Sequence, residues 1–393
     1  MLDRIRENAA KWRISMPAWW KRPSGFDGME APSRHGDRLF IIAVVMLCAV
    51  GLVLVYSASF VKGFVMFRDP FHFLKDHAIR LVMGTFFFFA AYRIDYHNLR
   101  QRGLWLLLLC MLFLIAVLFV GSGARRWINL FGVTVQPSEF TRIALVIYLA
   151  DWCSRHSRKL QENWRVYVFA VLIILLPASL VVIEPSFSAA VLITLAGLLM
   201  LFLAGARLKH LGITALPVVV IGAIVAVQAP YRMRRLLAFL DPLADPQGIG
   251  YHSHQSLIAV GSGQILGVGM GMSGQKNLFL PEAHCDFIFS ILCEEKGFIG
   301  GAALLLLFFL FTWRGFRIAR KAPDQFGFLL AGGLTFSIVL FILTNISVSL
   351  ALMPVTGLPL PFVSYGGSAL IANLTACGII LNVSRHTQSP EAI

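Results

Sequence analysis

Apolar residues fill this chain in long unbroken runs, and polar residues collect in the gaps between them. The runs reach about 18 residues or more, the length a helix needs to cross a bilayer. Ten are present, over 39–60, 77–94, 102–121, 137–154, 164–183, 186–204, 208–228, 285–313, 326–352 and 363–384. In lipid a helix satisfies its backbone hydrogen bonds internally, so the pattern predicts an all-α polytopic membrane protein of about ten spanning helices. The period-two alternation of a membrane barrel is absent. Only Glu184-Pro185 divides the fifth and sixth runs, which form either one kinked hairpin or a broken pair. Residues 1–38 make a basic N-terminal tail, 39–385 one membrane domain, and 386–393 a short C-terminal tail.

Composition agrees with that pattern. Of 393 residues 58% are hydrophobic and only 14% charged, and mean hydropathy is +0.75. A soluble chain of this length needs far more charge to solvate its surface. The net charge of +14 raises nucleic acid as a partner, but topology accounts for it better. With the N-terminus inside, 22 of the 34 Lys and Arg fall in cytoplasmic segments and 10 in outer loops. That bias orients the chain with both termini in the cytoplasm. No basic helix is interleaved with stacking aromatics, so no nucleic-acid partner is expected. The tail lacks the apolar segment of a cleavable signal. Its Trp19 and Trp20 beside Lys21-Arg22 suit either a membrane surface or a solvated tail. The six cysteines sit in or at the edges of runs with no C-x-x-C pair, so neither a disulfide nor a cysteine metal site is expected.

Candidate chemistry gathers in the outer loops. The longest connection, about 229–284, is long enough to be functional. It opens with Arg232, Arg234 and Arg235, and its Ser256–Val260 stretch predicts a short interfacial helix. At its end Glu282, His284 and Asp286 cluster where the eighth run begins. Asp286, at the first or second position of that helix, would touch water and lipid headgroups together. A helix start holds it ionised while partial burial raises its proton affinity, which suits a general base. A capping aspartate is the structural alternative. Arg125 and Arg126 run against the positive-inside bias, so they point to a pyrophosphate or to snorkelling onto lipid phosphates. Glu139 and Arg142 lie three apart on one helix face within the membrane, as a functional pair or a structural ion pair. Gly261–Lys276 reads as a backbone nest with Lys276 supplying charge, or as a tight loop. Its Gly269, Gly271 and Gly274 spell G-x-G-x-x-G without the strand and helix of a dinucleotide site. The small residues Ser364–Ser368 suit close helix packing or close approach of a ligand, with Ser364 the contact candidate. His252 and His254 form a weak H-x-H metal signal. Glu294 or Glu295 is expected to pair with Lys296 or Arg142.

Together these motifs resemble the SEDS family (shape, elongation, division and sporulation). The segments that carry the likeness are YSAS at 56–59, GARRW at 123–127, QPSE at 136–139, QSLIAVGSG at 255–263, GQKNLFLPEAH-x-DFIF at 274–289, EEKGFIGG at 294–301 and LPLPFVSYGGSAL at 358–370. The resemblance implies a peptidoglycan glycosyltransferase of the cytoplasmic membrane that polymerises lipid II on its outer side. It implies that Asp286 is catalytic and that Arg125, Arg126, Glu139, Lys276, Glu282 and His284 line the headgroup cavity. The intramembrane charge of Arg142 and the small-residue segment at Ser364 add these two as candidate substrate contacts. It implies a class B penicillin-binding protein as partner, among other membrane proteins of division or elongation, and admits a divalent cation, Mg²⁺ or Mn²⁺, at the pyrophosphate. Four positions depart from the pattern. Ser186 and Ser188 replace the family's usual Asp and Gly, Arg142 stands where Lys is more usual, and Cys285 replaces a common Thr. Glu184, Phe187 and the basic tail resemble the division branch, FtsW. Met353–Pro359 resembles the elongation branch, RodA, and the division branch is favoured.

Overall fold

The structure is a computed structural model describing residues 36–121, 126–130, 133–184, 186–228, 230–240, 248, 250–277 and 279–386. Arg125, Pro185, Trp19 and Trp20 lie outside the described residues. Among the described residues the helices are α1 (Arg38–Phe67), α2 (His72–Arg93), α3 (Tyr96–Val120), α4 (Pro137–Glu162), α5 (Trp164–Ile183), α6 (Phe187–Leu203), α7 (Leu208–Gln228), α8 (Pro230–Leu240), α9 (Tyr251–Ser262), α10 (Ile288–Arg320), α11 (Gln325–Ser349) and α12 (Gly367–Arg385). A small antiparallel hairpin, β1 (Ile128–Leu130) with β2 (Val133–Val135), precedes α4. Each of the ten apolar runs is helical over most of its length. The fifth and sixth are two helices, α5 and α6, parted at residues 184–186.

Local chemistry sets the helix ends. Asp37, Asp95, Asn163 and Asp324 each accept a backbone N–H in the first turn of α1, α3, α5 and α11, satisfying donors that have no partner inside the helix. Pro137 opens α4, where its missing N–H costs nothing. Asp37 also holds Arg314 at 2.6 Å, tying the start of α1 to the far end of α10.

Among the described residues, six helices are long and apolar enough to cross a bilayer on those grounds alone: α1, α3, α5, α10, α11 and α12. α6 and α7 are shorter apolar helices. α4 carries Glu139, Arg142 and Asp151, all buried by neighbouring helices, so these three charges face protein. The apolar windows of α12 and α11 are 94% and 78% buried, against 22% for α3, so α11 and α12 form the centre and α3 the periphery. α12 packs along α2, and α11 along α4, α6 and α10. Small residues bring α2 and α12 together. A Cβ on Gly84 would lie 2.6 Å from Leu374, and one on Gly378 2.3 Å from the Phe88 carbonyl.

The 229–284 connection differs most from expectation. It holds two helices, α8 and α9, and the second extends well beyond Ser256–Val260. The eighth run is also not one continuous helix from 285. α10 begins at Ile288 and breaks at Gly297 (φ 62°, ψ −162°). Glycine tolerates that φ because it has no Cβ. The break strands the carbonyls of Glu294 and Glu295 and the amides of Phe298 and Ile299. The loop after α9 takes up all four. Val268 and Gly269 donate to Glu294 and Glu295 at 2.9 and 3.1 Å, and Phe298 and Ile299 donate to Gln264 and Ile265 at 2.8 and 3.3 Å. The loop thus supplies partners for the four groups left by two missing helical hydrogen bonds, which lets non-helical backbone persist inside the bundle.

Candidate active site

Residues 281–287 form a turn wedged between α10 and the segment that precedes α12. Glu282 adopts a left-handed φ of 53°, and its carbonyl accepts the amides of Cys285 (2.9 Å) and Asp286 (3.0 Å). Asn345 of α11 donates to the Asp286 and Leu358 carbonyls at 3.0 and 2.8 Å, and Tyr365 donates its amide to the His284 carbonyl at 2.9 Å. Hydrogen bonds to its backbone from three sides therefore hold the turn and leave the Asp286 side chain to its surroundings.

The Asp286 carboxylate accepts no hydrogen bond among the described residues and stays partly exposed. It does not cap α10. The cap position is Phe287, without a side-chain bond, so the structural alternative for this aspartate is not realised. Burial first, and the Glu282 charge second, push its pKa up to about 6 against the opposing pull of Arg235. Arg235, on α8, donates to the Val355 carbonyl at 3.1 Å.

Glu282 and His284 face a cavity of about 210 Å³ that Lys62, Lys276 and Leu280 also line. Lys62 Nζ lies 2.7 Å from Glu282, and the His284 ring 3.9 Å from it. Burial raises the Glu282 pKa, but Lys62 and His284 outweigh it and hold the carboxyl below its usual range. Burial and Lys62 lower His284 to about 4, so its ring is neutral at pH 7. Phe73 and Tyr365 pack against that ring at 4.7 and 5.5 Å.

Lys276 does reach the cavity wall, but its ammonium is committed. It sits 3.1 Å from Glu295, whose carboxylate also takes the Ser57 hydroxyl at 2.6 Å. Glu294 accepts from Ser273 and from the Gly274 amide at 2.9 Å. Neither glutamate meets Lys296, which is exposed, or Arg142. The break at Gly297 explains the difference, because it admits the 263–277 loop to the face where the glutamates point. The glycine-rich run is thus an interlocked loop with its lysine neutralised, not an open phosphate nest.

Glu139 and Arg142 do pair, at 3.4 Å, both almost wholly buried. Arg142 also donates to Asn373 at 2.7 Å and lies 4.3 Å from the Phe341 ring centre. Arg126 donates to the Glu184 carbonyl at 3.2 Å. The Glu184 carboxylate is sealed without a hydrogen bond among the described residues, and burial pushes it up to about 8 despite Arg126. Ser364 is buried and accepts the Leu360 amide at 3.0 Å, so its hydroxyl closes a turn and is not offered to a ligand. His252 and His254 lie two apart on α9, about 200° around a helix, and cannot converge on one ion.

Sequence reasoning gave no site role to Lys62 or Ser57, and it named Arg235 only in the basic opening of the long loop. Lys62 is a cation on the side that the charge bias leaves poor in them, and Ser57 a hydroxyl amid an apolar run, so both carried a signal. The pairing of Asp76 with Arg80 (2.7 Å) and with the Tyr365 hydroxyl carried none. Glu282, His284 and Cys285 bring their ligand atoms within 4.8 Å of one another. That donor set offers a single oxygen ligand, whereas Mg²⁺ and Mn²⁺ favour oxygen shells, so it does not fit them. The Cys285 thiol is moreover held well above its usual pKa by burial and by Asp286.

A family model described as cell cycle protein, covering FtsW, RodA and SpoVE, matches residues 37–389. The stage V sporulation protein E of Bacillus subtilis is 39% identical over 368 residues, spanning 92% of this chain and all of that protein. A "Probable peptidoglycan glycosyltransferase FtsW" of Trichlorobacter lovleyi is 40% identical over 359 residues, 88% of this chain and 93% of that one. Among solved structures, a chain from a peptidoglycan synthase complex that coordinates polymerization and crosslinking aligns with a TM-score of 0.73 and 28% identity, over 89% of this chain and 98% of that one.

Proposed function

This chain belongs to the FtsW, RodA and SpoVE family of cell cycle proteins, and on that premise we propose that it is a peptidoglycan glycosyltransferase polymerising lipid II into β-1,4 glycan strands. The observation that carries the reading is Asp286. It is a partly exposed carboxylate, free of hydrogen bonds among the described residues, with a pKa near neutrality on a turn braced from three sides. Such a group accepts a proton in a defined direction.

In this reading ten helices cross the membrane, both termini are cytoplasmic, and residues 39–385 form one domain with short tails. The Asp286 turn then faces outward. A pyrophosphate leaving group is already a weak base, so it needs cationic stabilisation more than a general acid, and one carboxylate suffices. Asp286 takes the proton from the acceptor's GlcNAc 4-hydroxyl as that oxygen attacks and inverts the donor's anomeric carbon. Arg125 and Arg126 hold the pyrophosphate. Lys62 and Lys276 are both paired, but Lys62 with the exposed Glu282 is the more accessible cation of the cavity, and Lys276 is sealed against the buried Glu295. The relatives named FtsW favour a septal role in division over elongation, and a class B penicillin-binding protein as crosslinking partner.

The test is purified protein with labelled lipid II and a gel for glycan strands. Asp286→Asn should insert normally and make none. Full synthesis by that variant would overturn the assignment, and lipid II crossing vesicles without strand formation would favour a flippase.

A further inference from the structure

At the opposite end of the bundle from Asp286, α3 and α4 enclose a second cavity of about 290 Å³. Asp151 organises it. Its carboxylate, 12% exposed, takes Arg100 Nε at 2.8 Å and both Nε and Nη2 of Arg155 at 2.8 Å. One near-buried anion thus fixes two guanidiniums that remain 38% and 54% exposed. The trio carries a net charge of +1. A guanidinium has five N–H donors, and Asp151 uses one from Arg100 and two from Arg155, so several line the cavity beyond it. Planar forks of this kind match phosphate oxygens. Trp152 and His156 stack at 4.6 Å on the α4 side, where the helix departs from α geometry at His156 (φ −119°).

The surroundings give this site an apolar extension. Arg100, Leu104 and Leu108 follow at four-residue spacing on one face of α3, and Leu104, Leu108 and the neighbouring Trp105 are 44%, 45% and 72% exposed. The charged end is therefore continuous with an open apolar stripe towards the middle of the helix. A soluble phosphate has no use for that stripe. A diacyl lipid uses both parts, its phosphate at the arginines and a chain along the leucines. The net +1 also favours a headgroup with a single negative charge over a zwitterionic one, whose ammonium would meet two cations.

We propose that the Arg100–Asp151–Arg155 cavity is a binding site for an anionic phospholipid, which in the proposed orientation comes from the cytoplasmic leaflet. The site lies apart from the Asp286 turn and does not depend on the polymerase reading. The test is native mass spectrometry of the full chain, delipidated in detergent and titrated with phosphatidylglycerol, phosphatidylcholine or glycerol 1-phosphate. Phosphatidylglycerol adducts should dominate. The R100Q/R155Q variant should bind that lipid on the order of 30-fold more weakly, from two cations worth about 1 kcal/mol each near a membrane surface. Removing both arginines strands Asp151 and takes the trio from +1 to −1, so R100Q/D151N/R155Q, which is neutral there, serves as a second variant without that buried charge and should still lose about fivefold. Equal binding of phosphatidylcholine, unchanged binding in the triple variant, or displacement of the lipid by equimolar glycerol 1-phosphate would overturn the proposal. The last outcome would make a soluble phosphate the ligand.

Discussion

At residue scale, the property that suits Asp286 to the base role proposed for it also makes it costly. Its folded pKa of about 6 exceeds the ordinary 3.8 because burial and Glu282 disfavour the charge. As a base it works only when ionised, so kcat/KM should rise as pH climbs through about 6 and level off above it. Initial rates on lipid II across that range check this. The stability sign is opposite. A carboxyl whose folded pKa is raised contributes stability that is full below about pH 4 and lost as pH rises through about 6. At neutral pH the deficit is up to about 3 kcal/mol. Asp286→Asn should therefore unfold at a higher temperature than the parent at pH 7.5 while making no glycan, and the gap should close near pH 4. A structural aspartate would lose stability on the same change. The position of this group was legible in the sequence, since Glu282, His284 and Asp286 stood at the mouth of an apolar run. That it stops short of the helix was not, because the left-handed backbone at Glu282 leaves no mark in residue type.

At element scale, α10 and the loop after α9 behave as one unit. A Cβ on Gly297 would lie 2.4 Å from the Ile265 carbonyl, and one on Gly267 2.3 Å from the Glu295 carbonyl, both at positive φ. Gly297→Ala should thus cost about 2–3 kcal/mol or more, from a strained φ and a backbone clash. Hydrogen exchange at the amides of Val268, Gly269, Phe298 and Ile299 should speed up together, because each pair holds the other. The ion pair beneath adds a second expectation. Glu295→Gln leaves Lys276 buried without its anion and should cost about 3–5 kcal/mol, whereas Lys276→Met with Glu295→Leu should recover most of it. A thermal unfolding series on the three variants separates these outcomes. Hydropathy marked the helices themselves well, with α7 over the expected 208–228 and α5 over 164–183. It could not mark which polar groups meet across them. Lys276 and Glu295 are 19 residues apart with Ser57 on a different helix, and contacts of that kind depend on a helix break that a single glycine in an apolar run does not announce.

At the scale of the whole molecule, the arrangement of charge sets which side of the membrane receives the Asp286 turn. The positive-inside bias is an argument about Lys and Arg near span ends, and it predicts one orientation without reference to the site. The structure supplies positions that read it out. Met272, 72% exposed, lies on the loop beside the candidate site, and Arg158, also exposed, lies near the end of α4 at the other end of the bundle. Met272→Cys should react with a membrane-impermeant maleimide in intact cells, and Arg158→Cys only after permeabilisation. Native thiols leave a quiet background. Four of the six are buried in helices, Cys110 lies within the apolar α3, and Cys285 has little thiolate because burial and Asp286 push its thiol up. Reaction depends on thiolate, so Cys285 labels slowly even though it is near the surface. The opposite labelling pattern would place Asp286 on the cytoplasmic side, where no strand could be delivered to the wall. It would remove the polymerase reading while leaving the fold, the interlock at Gly297 and the Arg100–Asp151–Arg155 cavity as they stand.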